Sequence, residues 1–185
     1  VKLVLVACNT ASSLSLDFLK RCFRVPIIGV IGPGARNAVN VTRNSRIGVI
    51  GTNATILSGA YEKAIKKISP RAAVYSRSCP LFVSLAEEGW TSEKVTCDIA
   101  SIYLRPLKEK GVDTLILGCT HYPLLKNIIR KIMGDKVHLV DSAQEAAKEA
   151  SGLLDAGGLL NAAPGKKKHK FFVSDQPEHF IKIGS

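Results

Sequence analysis

Residues 5–11 read Leu-Val-Ala-Cys-Asn-Thr-Ala, and the role of Cys8 in that stretch decides the fold. An apolar run, Leu3 to Ala7, stops abruptly at a thiol and two polar side chains, Asn9 and Thr10. One reading is the end of a lipoprotein signal, with Cys8 awaiting a lipid. The other is a buried strand that lifts Cys8, Asn9 and Thr10 to the rim of a sheet. A secretory signal needs an apolar region of about 7–15 residues behind a charged start. Only Leu3–Ala7 precede Cys8, with the single Lys2 before them, so the strand reading is favoured.

The surrounding chain supports a globular protein. It has 185 residues, 46% hydrophobic and 22% charged, enough for one domain or two small ones with a real core. No apolar run reaches the roughly 18 residues that span a bilayer, so a membrane partner is not expected. The five cysteines, Cys8, Cys22, Cys79, Cys97 and Cys119, are odd in number and scattered, without a CxxC pair. Reduced thiols in a cytoplasmic protein are the simplest account. The Cys and His residues lack zinc-type spacing, and no metal is expected. The net charge of +11 raises the question of nucleic acid. Most basic residues lie on helical faces such as EKAIKK, and the one dense run, Lys166 to Lys170, reads as a solvated turn. No aromatic interleaving accompanies it, so nucleic acid is not expected as a partner.

Short β-rich runs alternate with helical patterns. Strands are predicted at 2–7, 25–31, 46–51, 72–77, 113–118, 136–141 and 170–175. They are mostly not alternating, as in parallel strands covered on both faces. Helices are predicted near 11–22, 34–43, 54–68, 80–88, 92–110, 122–133 and 142–156. Asp141 or Ser142 is a candidate cap for the last of these, with Glu145 placed as in a capping box. Gly111 is positioned to end the helix before DTLILG. Gly32-Pro33-Gly34 reads as a sharp break and domain crossover, and 157–165 as a loop. The rhythm implies an α/β fold with a mainly parallel sheet.

Three predicted strands end alike. LVLVA runs into Cys8, Asn9 and Thr10; DTLILG into Cys119, Thr120 and His121; RIGVIG into Thr52, Asn53 and Thr55. Open parallel sheets bind ligands beyond their strand C-termini. Two thiols facing one carbon from opposite sides suit stereoinversion: one takes a proton as thiolate, the other gives one as thiol. His121, two residues after Cys119, is placed to assist as acid, base or hydrogen-bond partner. Cys22 and Cys97, on helical faces, read as buried structural thiols, and Cys79 as structural too.

At these residues the chain resembles the glutamate racemases of the aspartate/glutamate racemase superfamily. The matching stretches are VACNTAS, VIGPGARNAV, IGVIGTNATILSGAY, CPLFVSLAEEG, DTLILGCTHYPLL and KFFVSDQPEHF, in the family's order and over most of the chain. The resemblance implies a cofactor-independent, cytoplasmic enzyme that interconverts L- and D-glutamate and supplies D-glutamate for peptidoglycan, a homodimer when full length. It implies that Cys8 is the acid/base for the D-enantiomer and Cys119 for the L-enantiomer. Asn9, Thr10, Thr52, Thr55, Thr120 and His121 would bind substrate, and His121 would also assist Cys119. Glu87 matches a family carboxylate near Cys119, with Glu88 as the neighbour to be told apart from it. Ser84 stands where many relatives have proline.

The family's usual Asp-Ser-Gly strand and Pro-Tyr-Gly loop are not in the sequence. The resemblance therefore implies an amino-terminally truncated, two-lobed protein with an incomplete first lobe, 1–32 plus 142–185, and a second lobe, 33–141. Low or no activity is expected of the 185 residues alone, with an exposed sheet edge that invites pairing. The competing readings are a racemase or isomerase of the same superfamily acting on aspartate, hydantoin or maleate, and a basic non-catalytic binding protein resting on the +11 charge alone.

Overall fold

The structure is a computed structural model, and it describes residues 1–161, 169–175, 178 and 181. Its strands are β1 (Val4–Val6), β2 (Ile27–Gly29), β3 (Arg46–Gly51), β4 (Ala73–Ser78), β5 (Thr114–Gly118) and β6 (His138–Asp141). Its helices are α1 (Asn9–Leu14), α2 (Leu16–Cys22), α3 (Ile31–Val41), α4 (Asn53–Leu57), α5 (Ala60–Ile68), α6 (Leu81–Glu87), α7 (Lys94–Glu109), α8 (Lys126–Met133) and α9 (Ser142–Ala156). A 3₁₀ turn, Tyr122–Leu125, leads into α8.

All pairings are parallel. β1 and β2 form a two-stranded sheet, and the other four are ordered β4-β3-β5-β6. Parallel strands need crossover helices, which cover both faces and demand apolar strands. β5 is buried along its whole length. Its side chains alternate between two cores: Leu115 and Leu117 face Phe82, Leu104, Leu125 and Ile129, while Ile116 faces Ile31, Ala35 and Ile65. Phe82 sits edge-on to both Tyr103 and Tyr122, with centroids 5.3 Å apart in each pair, a favoured aromatic geometry. β1 is less enclosed, and Leu5 is 38% exposed.

Several predicted boundaries move. Gly32-Pro33-Gly34 is no break: it lies in the first turn of α3. Proline is tolerated there because a first-turn N–H has no partner within the helix. The helix expected over 54–68 divides at Gly59, whose φ of 64° is left-handed. The one expected over 11–22 divides at Ser15. Gly111, at φ 67°, does follow α7. Asp141 is the cap of α9, its carboxylate accepting from the Ala143 N–H at 3.0 Å. Ser142 turns inward instead, and the capping box does not form.

The strand expected over 170–175 is absent, and these residues are coil and bend. Phe171 and Phe172 are 76% and 87% exposed. An apolar run becomes a strand only where a sheet edge takes up its backbone, and β-propensity alone does not supply one. Of the loop expected over 157–165, residues 157–161 are turn, bend and coil, while 162–165 and Lys166–Lys168 lie outside the described residues.

Candidate active site

The strand ends converge. β1 stops at Val6, and Cys8 becomes the N-cap of α1, exposed to solvent, with its carbonyl accepting from Ser12 N at 2.8 Å. β3 stops at Gly51, and Thr52 caps α4, its hydroxyl accepting from Thr55 N at 3.3 Å. β5 stops at Gly118, followed by Cys119, which is 8% exposed, and by Thr120 and His121.

Thr10, Thr52 and Thr55 meet as a triangle of hydroxyls: 2.9 Å from Thr10 to Thr52, and 3.1 Å from each of these to Thr55. This joins the first turn of α1 to the end of β3. The hydroxyls come from two different sheets, each of which sets a helix N-terminus just beyond a strand end.

A second group surrounds Cys119. Its Sγ lies 3.7 Å from His121 Nδ1, and His121 Nε2 lies 3.0 Å from Glu87 Oε1. The Thr120 hydroxyl is 3.5 Å from the same Nδ1. Glu87 is the last residue of α6, and it is Glu87 rather than Glu88 that reaches the imidazole. A carboxylate on Nε2 favours the proton on that nitrogen, leaving the Nδ1 lone pair toward the thiol. Burial pushes the Cys119 thiol above its ordinary value, and the negative charge of Cys8 pushes the same way. Hydrogen bonds from the backbone of His121 and from Thr120 pull it down without cancelling the rise. The two thiols therefore sense each other, and a single negative charge is preferred over two.

Asn9, beside Cys8, is 3% exposed. Its Oδ1 accepts from the Tyr61 hydroxyl at 2.6 Å and from the Ser142 hydroxyl at 3.5 Å. Tyr61 and Ser142 are not singled out by the sequence. A tyrosine on the inner face of α5 looks like core, and Ser142 looks like a cap. The only signal was the pair of small residues that make room for the ring. A Cβ on Gly34 would stand 3.3 Å from Tyr61 Cε1, and one on Gly118 3.2 Å from Tyr61 Cε2.

The other cysteines stand apart. Cys79 is fully buried, and burial pushes its thiol up to about 12 against the pull of Arg77. Cys97 is half-buried. Cys22, expected to be buried, is exposed, because α2 has no buried residue. Among the described residues no group of three or more His, Cys, Asp or Glu is placed to hold a metal, and no helix is long and apolar enough to cross a membrane.

Known proteins resemble this chain in sequence and in fold. A model of the Asp/Glu/Hydantoin racemase family matches residues 1–150. A glutamate racemase of Geobacter metallireducens is 53% identical over 185 residues, which are 100% of this chain and 68% of that protein. The solved glutamate racemase isoform RacE1 of Bacillus anthracis superposes with a TM-score of 0.95 at 40% identity, over 100% of this chain and 69% of its own. The Francisella tularensis glutamate racemase, solved in complex with D-glutamate, gives 0.92 at 39% identity, over 100% and 68%. The chain thus spans about two thirds of the relatives it matches. It belongs to the Asp/Glu/hydantoin racemase family.

Proposed function

We propose that the chain is the catalytic part of a racemase that interconverts L- and D-glutamate by a two-thiol mechanism. The observation that carries this reading is the gathering of strand ends from two different sheets: the Thr10–Thr52–Thr55 triangle ties the helix that Cys8 begins to the sheet whose next strand ends at Cys119, with His121 and Glu87 behind that second thiol. With D-glutamate, the Cys8 thiolate takes the Cα proton and the Cys119 thiol delivers one to the opposite face. The C–H bond broken on one side is replaced on the other, and the charge moves from Cys8 to Cys119. With L-glutamate the steps reverse. His121 accepts the Cys119 proton when that thiol must be recharged as thiolate, and Glu87 steadies the imidazolium. Both carriers are thiols, so no cofactor is required.

Asn9, Thr10, Thr52, Thr55, Thr120 and His121 supply hydroxyl, amide and ring donors for the substrate's carboxylates. Glutamate is favoured over aspartate, hydantoin or maleate because the relatives named above are glutamate racemases at 39–53% identity. The same reading gives a cytoplasmic enzyme that supplies D-glutamate for peptidoglycan and acts as a homodimer when full length. It also divides the molecule into two lobes, one built on β1 and β2 and the other on β3 to β6, with the substrate in the cleft between them.

In the full-length protein, Cys8→Ala and Cys119→Ala should each abolish racemisation, leaving glutamate affinity within roughly tenfold, about 1.4 kcal/mol. His121→Ala should slow turnover less than either. Polarimetry and solvent-deuterium incorporation at Cα read the result. Normal racemisation by either cysteine variant would overturn the two-base assignment.

A further inference from the structure

We infer that Tyr61 and Ser142 are positioning residues that orient the Asn9 side-chain amide, presenting its Nδ2 donor to the substrate. The inference rests on the glutamate reading above and names what sets one of its binding groups. An asparagine amide can turn by half a rotation, exchanging donor for acceptor at little cost unless its partners choose. Here two hydroxyls choose. Tyr61 donates to Asn9 Oδ1 at 2.6 Å, and Ser142 approaches the same oxygen at 3.5 Å. Nδ2 makes no hydrogen bond within the described residues. Yet no enclosed side-chain nitrogen or oxygen among them lacks a partner, so Nδ2 keeps some access to solvent. The donor is left facing the cleft by the way the acceptor is held.

Tyr61 is itself fixed. Its ring is 2% exposed and wedged between Gly34 and Gly118, where added Cβ atoms would stand 3.3 and 3.2 Å away. Ser142 Oγ also lies 3.4 Å from the carbonyl of Leu117, two residues before Cys119. The residue beside one thiol is thus tied to the strand that carries the other. The Tyr61 hydroxyl touches neither the thiols nor the threonine triangle in any hydrogen bond, so its influence on substrate runs through Asn9.

A double-mutant cycle in the full-length protein tests this. KM for glutamate, in both directions, and the dissociation constant from titration calorimetry are measured for the unsubstituted protein, Tyr61→Phe, Asn9→Ala and the double variant. Tyr61→Phe should raise both constants about three- to tenfold, as expected for loss of one neutral hydrogen bond, with kcat falling by a smaller factor. In the Asn9→Ala background the same change should shift them less than about twofold. An equal factor in both backgrounds, or none in the first, overturns the inference. Ser142→Ala carries the same cycle if Tyr61→Phe does not fold. Failure of the unsubstituted protein to racemise glutamate would count against the function instead, and the cycle is then decided on binding. An unsubstituted protein that does not bind glutamate would sink both.

Discussion

At Cys119, burial and the charge on Cys8 oppose ionisation together, and this sets a pH window. Activity needs one thiol charged and the other neutral. It rises as the first of the pair ionises and falls when the second does. These are values of the pair rather than of either residue. Because the Cys119 thiol is raised, the second ionisation is delayed. The profile of kcat/KM should be a bell whose falling limb lies above the ordinary thiol value of about 8.5. The equilibrium constant between enantiomers is one, so the profiles for D- and L-glutamate must superimpose. A falling limb below that value, measured in either direction, would contradict the coupling of the thiols. The residues of this chemistry were legible because each is a polar side chain ending an apolar run: Cys8, Thr10, Thr52, Cys119 and His121. Tyr61 and Ser142 were not. Their partner Asn9 lies 52 and 133 positions away, and no local pattern encodes a contact at such separation.

Strands β3 and β5 close on each other at a pair of glycines, Gly51 opposite Gly118. A Cβ on Gly118 would stand 2.5 Å from the Ile50 carbonyl, a backbone atom that cannot step aside without parting the strands. Gly118→Ala should therefore destabilise the fold by about 1–3 kcal/mol, as overpacking does. A chain of this size loses roughly 2–4 °C in Tm per kcal/mol, so calorimetry should show a drop of several degrees. An unchanged Tm would mean the ladder is looser at its end than drawn here. The other elements followed their local signals where burial and backbone agreed: β3 over 46–51 and α9 over 142–156 sit where the pattern put them. The run at 170–175 did not, because aromatic and β-branched residues favour a strand only when a neighbouring edge is offered. Gly32-Pro33-Gly34 was misread because turn residues and first-turn helix residues share the same composition.

The two sheets of the whole molecule differ in how much of them is enclosed. β3 and β5 lie at the centre of four strands with helices on both faces, whereas β1 pairs only with β2 among the described residues and is half-exposed. Amides of Ile47–Ile50 and Leu115–Leu117 should be the slowest to exchange with deuterium in these 185 residues, and those of Val4–Val6 should exchange at least tenfold faster. Equal protection would mean that the chain opens as one cooperative unit. The α/β class was readable from rhythm alone, but two sheets rather than one continuous sheet were not, since strand order depends on pairings far apart in sequence. Besides the bonds of Tyr61 and Ser142 to Asn9, the threonine triangle spans the divide. Three hydroxyls hold three protons for three acceptors, so with nothing bound the group is self-sufficient. A carboxylate brings only lone pairs. Meeting one, the hydroxyls can all swing outward by rotation about C–O bonds while every heavy atom stays put. The cleft can thus exchange internal pairing for ligand pairing at almost no cost in reorganisation, on the timescale of a bond rotation rather than of a domain movement.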